Sequence, residues 1–431
     1  MRRRQFTAPL ILVSVLAVQA GLASPAHAAG QRYASPTGSG SACTSAAPCD
    51  IATAINQAPS STEVIVAPGT YNTGASSLSN SQVGINVHGI AGQPHPVINS
   101  SASYGLALTG SGARVADLTI NHTGAIYGLN VFASGVVIDR VQVHSTGAIA
   151  CTAGISGLAR DLLCVDSAAG GIALDDSWGN GTFLLSLRNV TAFATGVGSY
   201  GIRADASGAN TNLDISARNV IASGTKADIR STETPVNDST SESDVILTYS
   251  NFDTIEEAGG GNVTNVGSGG TNQTAAPIFA DSDGHQAQSS PTLDKGTTDS
   301  SVGVSDFEGE PRKNGVGVDI GADEWWPDVT PPDTAFGHTP KAKTHKRKAV
   351  FVFHASEPST FICTLGKHRA KPCSSTLKLK HLRYGRHKLK VVAVDASGNV
   401  DPTPALWKWK VKRRHQGHHD GHHHGNLHGD H

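Results

Sequence analysis

Three groups of residues in this chain have types and spacings that could do chemistry. Asp175 and Asp176, in the phrase Asp175-Asp-Ser-Trp-Gly-Asn-Gly181, could divide the work of glycoside hydrolysis: one carboxyl as general acid, the other activating water. Arg188, Arg203 and Arg218, with Asp205 and Asp214 nearby, could serve a lyase. In that chemistry carboxylates hold Ca²⁺ and an Arg or Lys beside a uronate takes its proton. Asp306, Glu308, Asp319, Asp323 and Glu324 gather late in the chain and could bind Ca²⁺, although their spacing is not that of an EF-hand. Each group also has a structural reading. The aspartate pair suits a polar turn. Arg188 and Arg218 each precede an Asn, which suits a repeated ladder. Arg312 is an internal partner for Asp319 or Glu324, the role we prefer for it. Trp178, Tyr127 and Tyr200 could stack on sugar rings or cap the packing under loops.

A fourth group is defined by alternation. Lys378 and Lys380 share one side of their segment, as do Lys388 and Lys390, and Lys408, Lys410 and Lys412. Leu377, Leu379, Leu389 and Val391 fall on the other side, toward a core. Lysines can simply guard sheet edges. Here they sit in a strongly basic region: residues 341–414 hold 19 Lys plus Arg against three acids, a net of +16, while residues 30–340 hold 12 against 30, a net of −18. That surplus favours contact with a polyanion such as acidic polysaccharide, teichoic acid or extracellular DNA. No base-reading motif is present. The tail 415–431 holds eight histidines among Gly and Asp. His418, His419, His422, His423 and His424 could take up Zn²⁺, Ni²⁺ or Cu²⁺ adventitiously, and we expect the tail to be disordered. We expect no required cofactor.

These residues must be positioned by something, and the chain repeats itself. Strand-like phrases recur around Leu118, Val141, Leu162, Val190, Val220 and Phe252, each directly after an Asp, Arg or Asn. The intervals are 23, 21, 28, 30 and 32 residues. A short β unit at such spacing is the mark of a solenoid, whose stacked copies bury a core that no single copy could. After the proline-rich linker 327–332 come alternating segments at 350–353, 377–382, 389–394 and 407–411, which suggest a small β-sandwich over 333–414.

The ends suggest export. Arg2-Arg-Arg4, the apolar run Leu10–Ala20 and the Ala26-His-Ala28 cleavage pattern read as a signal peptide over residues 1–28. Arg3-Arg4-Gln5-Phe6 also suits twin-arginine export. No later segment has the length or apolarity of a membrane helix. The six cysteines form near neighbours, Cys43 with Cys49, Cys151 with Cys164 and Cys363 with Cys373, and local closure predicts those disulfides.

Resemblances add to this reading. Tyr33-Ala-Ser-Pro-Thr-Gly38, Ile51-Ala-Thr-Ala-Ile-Asn-Gln-Ala58 and Val64-Ile-Val-Ala-Pro-Gly-Thr-Tyr71 resemble the opening of secreted right-handed parallel β-helix, pectate-lyase-like proteins. There a short helix caps the coil and the last phrase forms the first rung. Asp306-Phe-Glu-Gly309, Pro311-Arg312 and Asp319-Ile-Gly-Ala322 with Glu324 resemble a closing segment of the choice-of-anchor Q type, over 291–326. Residues 330–402 resemble bacterial Ig-like modules. Pectin-active hydrolases of the β-helix class also carry N-T-D, G-H-G and R-I-K phrases; only the Asp-Asp pair occurs here, and His285 stands in Asp-Gly-His-Gln.

The expected protein is all-β: a right-handed parallel β-helix over 30–326, then a basic Ig-like sandwich. It is secreted or cell-surface associated in a bacterium, monomeric, without a membrane span. A non-catalytic surface or matrix role binding polyanionic glycans or cell-wall polymers is favoured over a carbohydrate-active enzyme on acidic polysaccharide. Only the lyase alternative needs Ca²⁺. Carboxylates clustered in one groove would mark the enzyme; a Ser/Thr/Asn-lined face would mark binding.

Overall fold

The computed structural model describes residues 30–154, 156–177, 181–207, 210–233, 242–259, 261–265, 271–395 and 397–413. The expected signal peptide, Trp178 and the histidine tail lie outside them. The chain divides into two compact units between Trp325 and Trp326.

In the first unit, aliphatic residues at every second position make strands, and equivalent residues stack from one coil to the next. The result is a parallel β-solenoid of about seven turns. One sheet runs in the order Gly30–Ala34, Thr62–Val66, Asn86–Gly89, Arg114–His122, Ser134–Ser145, Ser156–Asp166, Gly181–Ala194, Thr211–Ser223, Glu242–Thr248 and Asn262–Asn265. The other runs from Leu78–Asn80 through Tyr104–Leu108, Tyr127–Val131, Ile149–Thr152, Ile172–Asp175, Tyr200–Ala206 and Ala227–Glu233 to Ile255–Ala258. Register makes the core explicit. Val87, Val115, Ile138, Ala159, Leu187, Ala217 and Leu247 form one inward column. Leu106, Leu129, Cys151, Leu174, Ile202 and Ile229 form another from the second sheet. All are buried.

Each long strand turns a corner at one residue in the left-handed region: Asp117, Arg140, Asp161, Asn189, Asn219 and Tyr249, with φ between 49° and 55°. Asp and Asn tolerate that conformation better than most residues. The residues after the first five, Leu118, Val141, Leu162, Val190 and Val220, are in register as the repeat predicts. The sixth copy departs from the prediction. Thr248 pairs with Arg218, so Tyr249 takes the corner and the repeat continues at 30 residues; Phe252 is not the equivalent position. Asn251 instead donates its side-chain amide to the Ala275 carbonyl at 2.7 Å.

The helix Ile51–Asn56 buries Ile51, Ala54 and Ile55, and Asp50 caps it by accepting the Thr53 amide at 2.8 Å. A strand not foreseen, Gly30–Ala34, pairs ahead of Thr62–Val66.

The second unit has a three-stranded antiparallel sheet (Thr334–His338, Ala349–Ala355, Thr376–Leu379). Its five-stranded sheet runs Lys343–Thr344, Ala405–Val411, Gly385–Asp395, Ser359–Leu365 and Lys371–Cys373. Phe351 of the first sheet meets Trp409 of the second with ring centroids 5.2 Å apart. Phe353, Leu389, Val391 and Val411 complete this core.

The structure pairs Cys43 with Cys49, Cys151 with Cys164 and Cys363 with Cys373. Cys151 and Cys164 lie on different sheets and are both fully buried, so their bond spans the interior of one coil. Replacing both by Ala should cost about 3 kcal/mol for a loop of this size, read as a lower denaturant midpoint. An unchanged midpoint would show that the bond adds nothing to stability.

Candidate functional site

The carboxyl candidates first. Asp175 accepts two hydrogen bonds from Arg203, at 2.8 and 3.1 Å, and one from the Ser177 hydroxyl at 2.6 Å. Asp176 is fully buried beside it. One carboxyl is neutralised by a guanidinium and the other is withdrawn from solvent, so the structure gives neither the open face that an acid–base pair needs. The three arginines do not lie in one row. Arg188 and Arg218 pair in register on the long sheet, while Arg203 lies on the second sheet. Arg188 donates to the Ser301 hydroxyl at 3.1 Å, and Arg218 to Asp299 at 2.6 Å. Both are held by the closing segment. Arg203 also faces Asp205 at 3.7 Å, and Arg230 links Asp205 to Glu256 at 3.1 and 3.3 Å. Tyr200 is buried under Lys226 and Arg230. Tyr127 stacks on Tyr104, centroids 5.6 Å apart.

The acids of the closing segment work as staples for turns. Asp306 accepts the Glu308 and Glu310 amides at 3.0 and 2.9 Å. Asp319 accepts the Asp294 and Trp325 amides at 2.6 and 2.8 Å, and Glu324 those of Asn314 and Asp319 at 3.0 and 2.9 Å. Arg312 pairs with neither Asp319 nor Glu324. It reaches Asp161 of the corner column at 2.7 Å, and both side chains are almost wholly buried. Asn189 donates to the same carboxylate at 3.0 Å, and Asn219 donates to Asn189 at 2.9 Å. The Asp161 partner lies 151 residues from Arg312, beyond the reach of any local reading.

Asp306, Glu308 and Asp323 bring carboxylate oxygens within 4.8 Å of one another. His285 reaches this cluster at Glu308, 3.1 Å away, and also contacts Asp281 at 2.5 Å. Glu308, then Asp281, raise His285 to about 10 against the cost of burial. Burial raises Asp323 and Glu324 to about 7.

A groove of about 550 Å³ runs across the solenoid flank beside this segment. Nine of its fifteen lining residues carry hydroxyl or amide side chains, among them Thr119, Asn121, Gln142, Ser145 and Thr195. One lining residue, Asp283, carries a carboxyl. Burial lowers the affinity of His144 for a proton there, against the opposite pull of Asp283 and Asp281. This is the Ser/Thr/Asn-lined face, not the carboxylate cluster.

The lysines fall on the two outer faces of the second unit. Lys388 stands directly opposite Lys408, and Arg386 opposite Lys410, which is also beside Lys343. Lys390 continues that face, and Lys412 lies just beyond it. Lys378 belongs to the three-stranded sheet, where it pairs with Val350, and Lys380 lies just beyond the end of that strand. All seven candidate lysines are exposed. The only acid within the five strands of the larger sheet is Asp395, which is buried.

No protein-family model and no curated protein matches the chain. Among solved structures it is similar to chitinase ChiW from Paenibacillus sp. str. FPU-7, a cell-surface-expressed multi-modular enzyme, at 10% identity and TM-score 0.15, covering 89% of this chain and 24% of that one. The chain thus spans about a quarter of that enzyme's length. Among the described residues no helix is long and apolar enough to cross a membrane.

Two outcomes follow from the closing segment. Arg312→Leu leaves Asp161 buried without its cation, but that carboxyl can take up a proton, and the loss should be about 3 kcal/mol; Asp161→Asn strands a buried guanidinium that cannot lose its proton and should cost more, about 5 kcal/mol. Urea titration of each variant checks the order, and the reverse order would refute it. The pH dependence has a fixed sign. A histidine raised on folding stabilises fully below its unfolded value near 6.5, and that contribution is lost as pH rises through about 10. Carboxyls raised to about 7 act likewise, with stability falling as pH climbs from near 4 toward 7. Denaturant midpoints should fall between pH 6.5 and 10, and His285→Gln should flatten that limb.

Proposed function

We propose that this is an exported, non-catalytic surface or matrix protein that binds polyanionic glycans or cell-wall polymers through its C-terminal unit. One observation carries the reading. Like charges stand directly across the strands of an exposed sheet, Lys388 against Lys408 and Arg386 against Lys410. Such pairs destabilise a sheet. Among the described residues no carboxylate lies within ion-pair distance of them. A solubilising surface gains nothing from this opposition, whereas a polymer laid along the face would neutralise both rows. The three disulfides suit an oxidising environment. The resemblance of residues 330–402 to Ig-like modules, and of 291–326 to a choice-of-anchor segment, supports a role outside the cell.

The competing enzyme reading would need the solenoid groove. Its single lining carboxyl, Asp283, is one short of the pair that hydrolysis uses. Purified protein should release neither reducing ends nor unsaturated uronates from acidic polysaccharides; turnover lost in Asp176→Ala would overturn the non-catalytic reading.

The binding test uses the whole chain on heparin-like resin. Retention at low salt should disappear as the Debye length falls from about 10 Å at 0.1 M to about 3 Å at 1 M. Lys408→Ser should weaken retention and, by removing a like-charge opposition, leave stability unchanged or raised by roughly 0.2–1 kcal/mol. Retention unaltered by this substitution, or none at about 0.05 M salt, would sink the proposal.

A further inference from the structure

A concavity of about 410 Å³ in the C-terminal unit is lined by Lys346, Arg347, Lys348, Lys380 and His381. Two chain segments meet there, and backbone bonds fix both. The Leu382 amide donates to the Arg347 carbonyl at 2.9 Å, and Arg347 Nε returns a bond to the Leu382 carbonyl at 2.8 Å. The Lys346 amide donates to Thr344 Oγ1 at 3.1 Å. His381 takes a left-handed conformation, φ 56°, which turns the chain between Lys380 and buried Leu382. The Arg347 guanidinium lies 5.4 Å from the Tyr384 ring centre, and that of Arg413 lies 5.5 Å from it. Arg347 is therefore anchored through Nε and by stacking. Its two terminal nitrogens have no protein partner among the described residues. Nor does any carboxylate lie within ion-pair distance of the five lining side chains, among the described residues.

We propose that this concavity is a subsite for a tetrahedral oxyanion ester, phosphate or sulfate, carried on the polymer; it rests on the polyanion reading above. A row of lysines on a flat sheet responds to charge density alone. A concavity with donors arriving from two segments responds to shape. A tetrahedral group offers oxygens in several directions, so the Arg347 fork and the lysines opposite can bind it together. A planar carboxylate confines its acceptor sites to one plane, so it meets the fork and lysines lying outside that plane less well.

The test compares the full chain on three immobilised polymers at matched charge density and salt: poly(glycerol phosphate), dextran sulfate and polygalacturonate. Lys346→Ser/Lys380→Ser leaves the Arg347 anchor intact. It should weaken binding to the phosphate or the sulfate polymer by about tenfold, the size of one charge-assisted hydrogen bond, and binding to polygalacturonate by less than half as much. Whichever ester shows the larger loss identifies the source. Arg347→Lys, which keeps the charge and removes the fork, should also erase the preference. The control Lys388→Ser/Lys408→Ser should weaken all three equally. Equal losses on all three polymers for the concavity variants would overturn the subsite while leaving the polyanion reading standing. Failure of the unaltered chain to bind any of them would remove both.

Discussion

The first unit depends on a buried polar corner. A solenoid coil must turn, and here each turn is made at one left-handed residue whose side chain lies along the stack. Asp161, Asn189 and Asn219 are fully buried at that position. Their amides and carboxylate cannot be left without partners at such depth. They bond partly to each other and partly to the closing segment, while Asp161 Oδ2 has only the Arg160 guanidinium, 4.0 Å away. Asn189 donates to the Val302 carbonyl at 2.8 Å, and Asn219 exchanges bonds with Thr297 at 2.8 and 2.9 Å. Arg312 meets Asp161, although burial still lifts that carboxyl to about 6. Gly321 closes on the same corner. A side chain there would come within 2.7 Å of Ile221, and its φ of 112° favours glycine as well. The closing segment is thus the missing half of the corner column's hydrogen bonding.

That dependence explains what the local sequence revealed and what it hid. The corner was legible because Asp and Asn recur just before an apolar residue, and left-handed backbone favours them. The same cue misled at the last copy. Asn251 has the right chemistry, yet register places Tyr249 at the turn. Stacking of the Val245 and Leu247 column outweighs the conformational preference of one residue. The role of Arg312 was hidden for a different reason. Asp319 and Glu324 lie close in sequence, but each is already occupied by backbone amides. The Asp161 partner becomes visible only when the segment folds back across the coils. Arg203 was hidden likewise: coil length, which varies, decides which sheet a residue joins. The lysine faces were fully legible, because period-two alternation is a local property and needs no knowledge of what packs behind it.

The two units handle charge in opposite ways, and this separates structure from interaction. In the solenoid Arg140, Arg160, Arg188, Arg203, Arg218, Arg230 and Arg312 each face a carboxylate within 4.0 Å. Those arginines are at least half-buried along their stems and bind neighbouring coils together. Its surplus acids are largely taken up by backbone amides in turns. Little of its charge remains uncommitted.

In the second unit, by contrast, the hydrophobic cluster is rich in aromatic rings, and the cations make no ion pairs among the described residues. Surface pairs are worth little to stability in any case, so their absence is not costly. The opposed rows on the larger sheet are different, because removing either row would relieve repulsion without disturbing Trp409, Leu389 or Val391 beneath. A feature that lowers stability, is not required by the core, and extends over adjacent strands is hard to attribute to folding. The proposed polyanion would supply the external counter-charge that accounts for it. Residues 30–340, net −18, would repel the proposed polymer, so on that proposal attraction is concentrated in the basic unit. Its reach is set by salt rather than by shape, except where the chain folds its cations into a concavity.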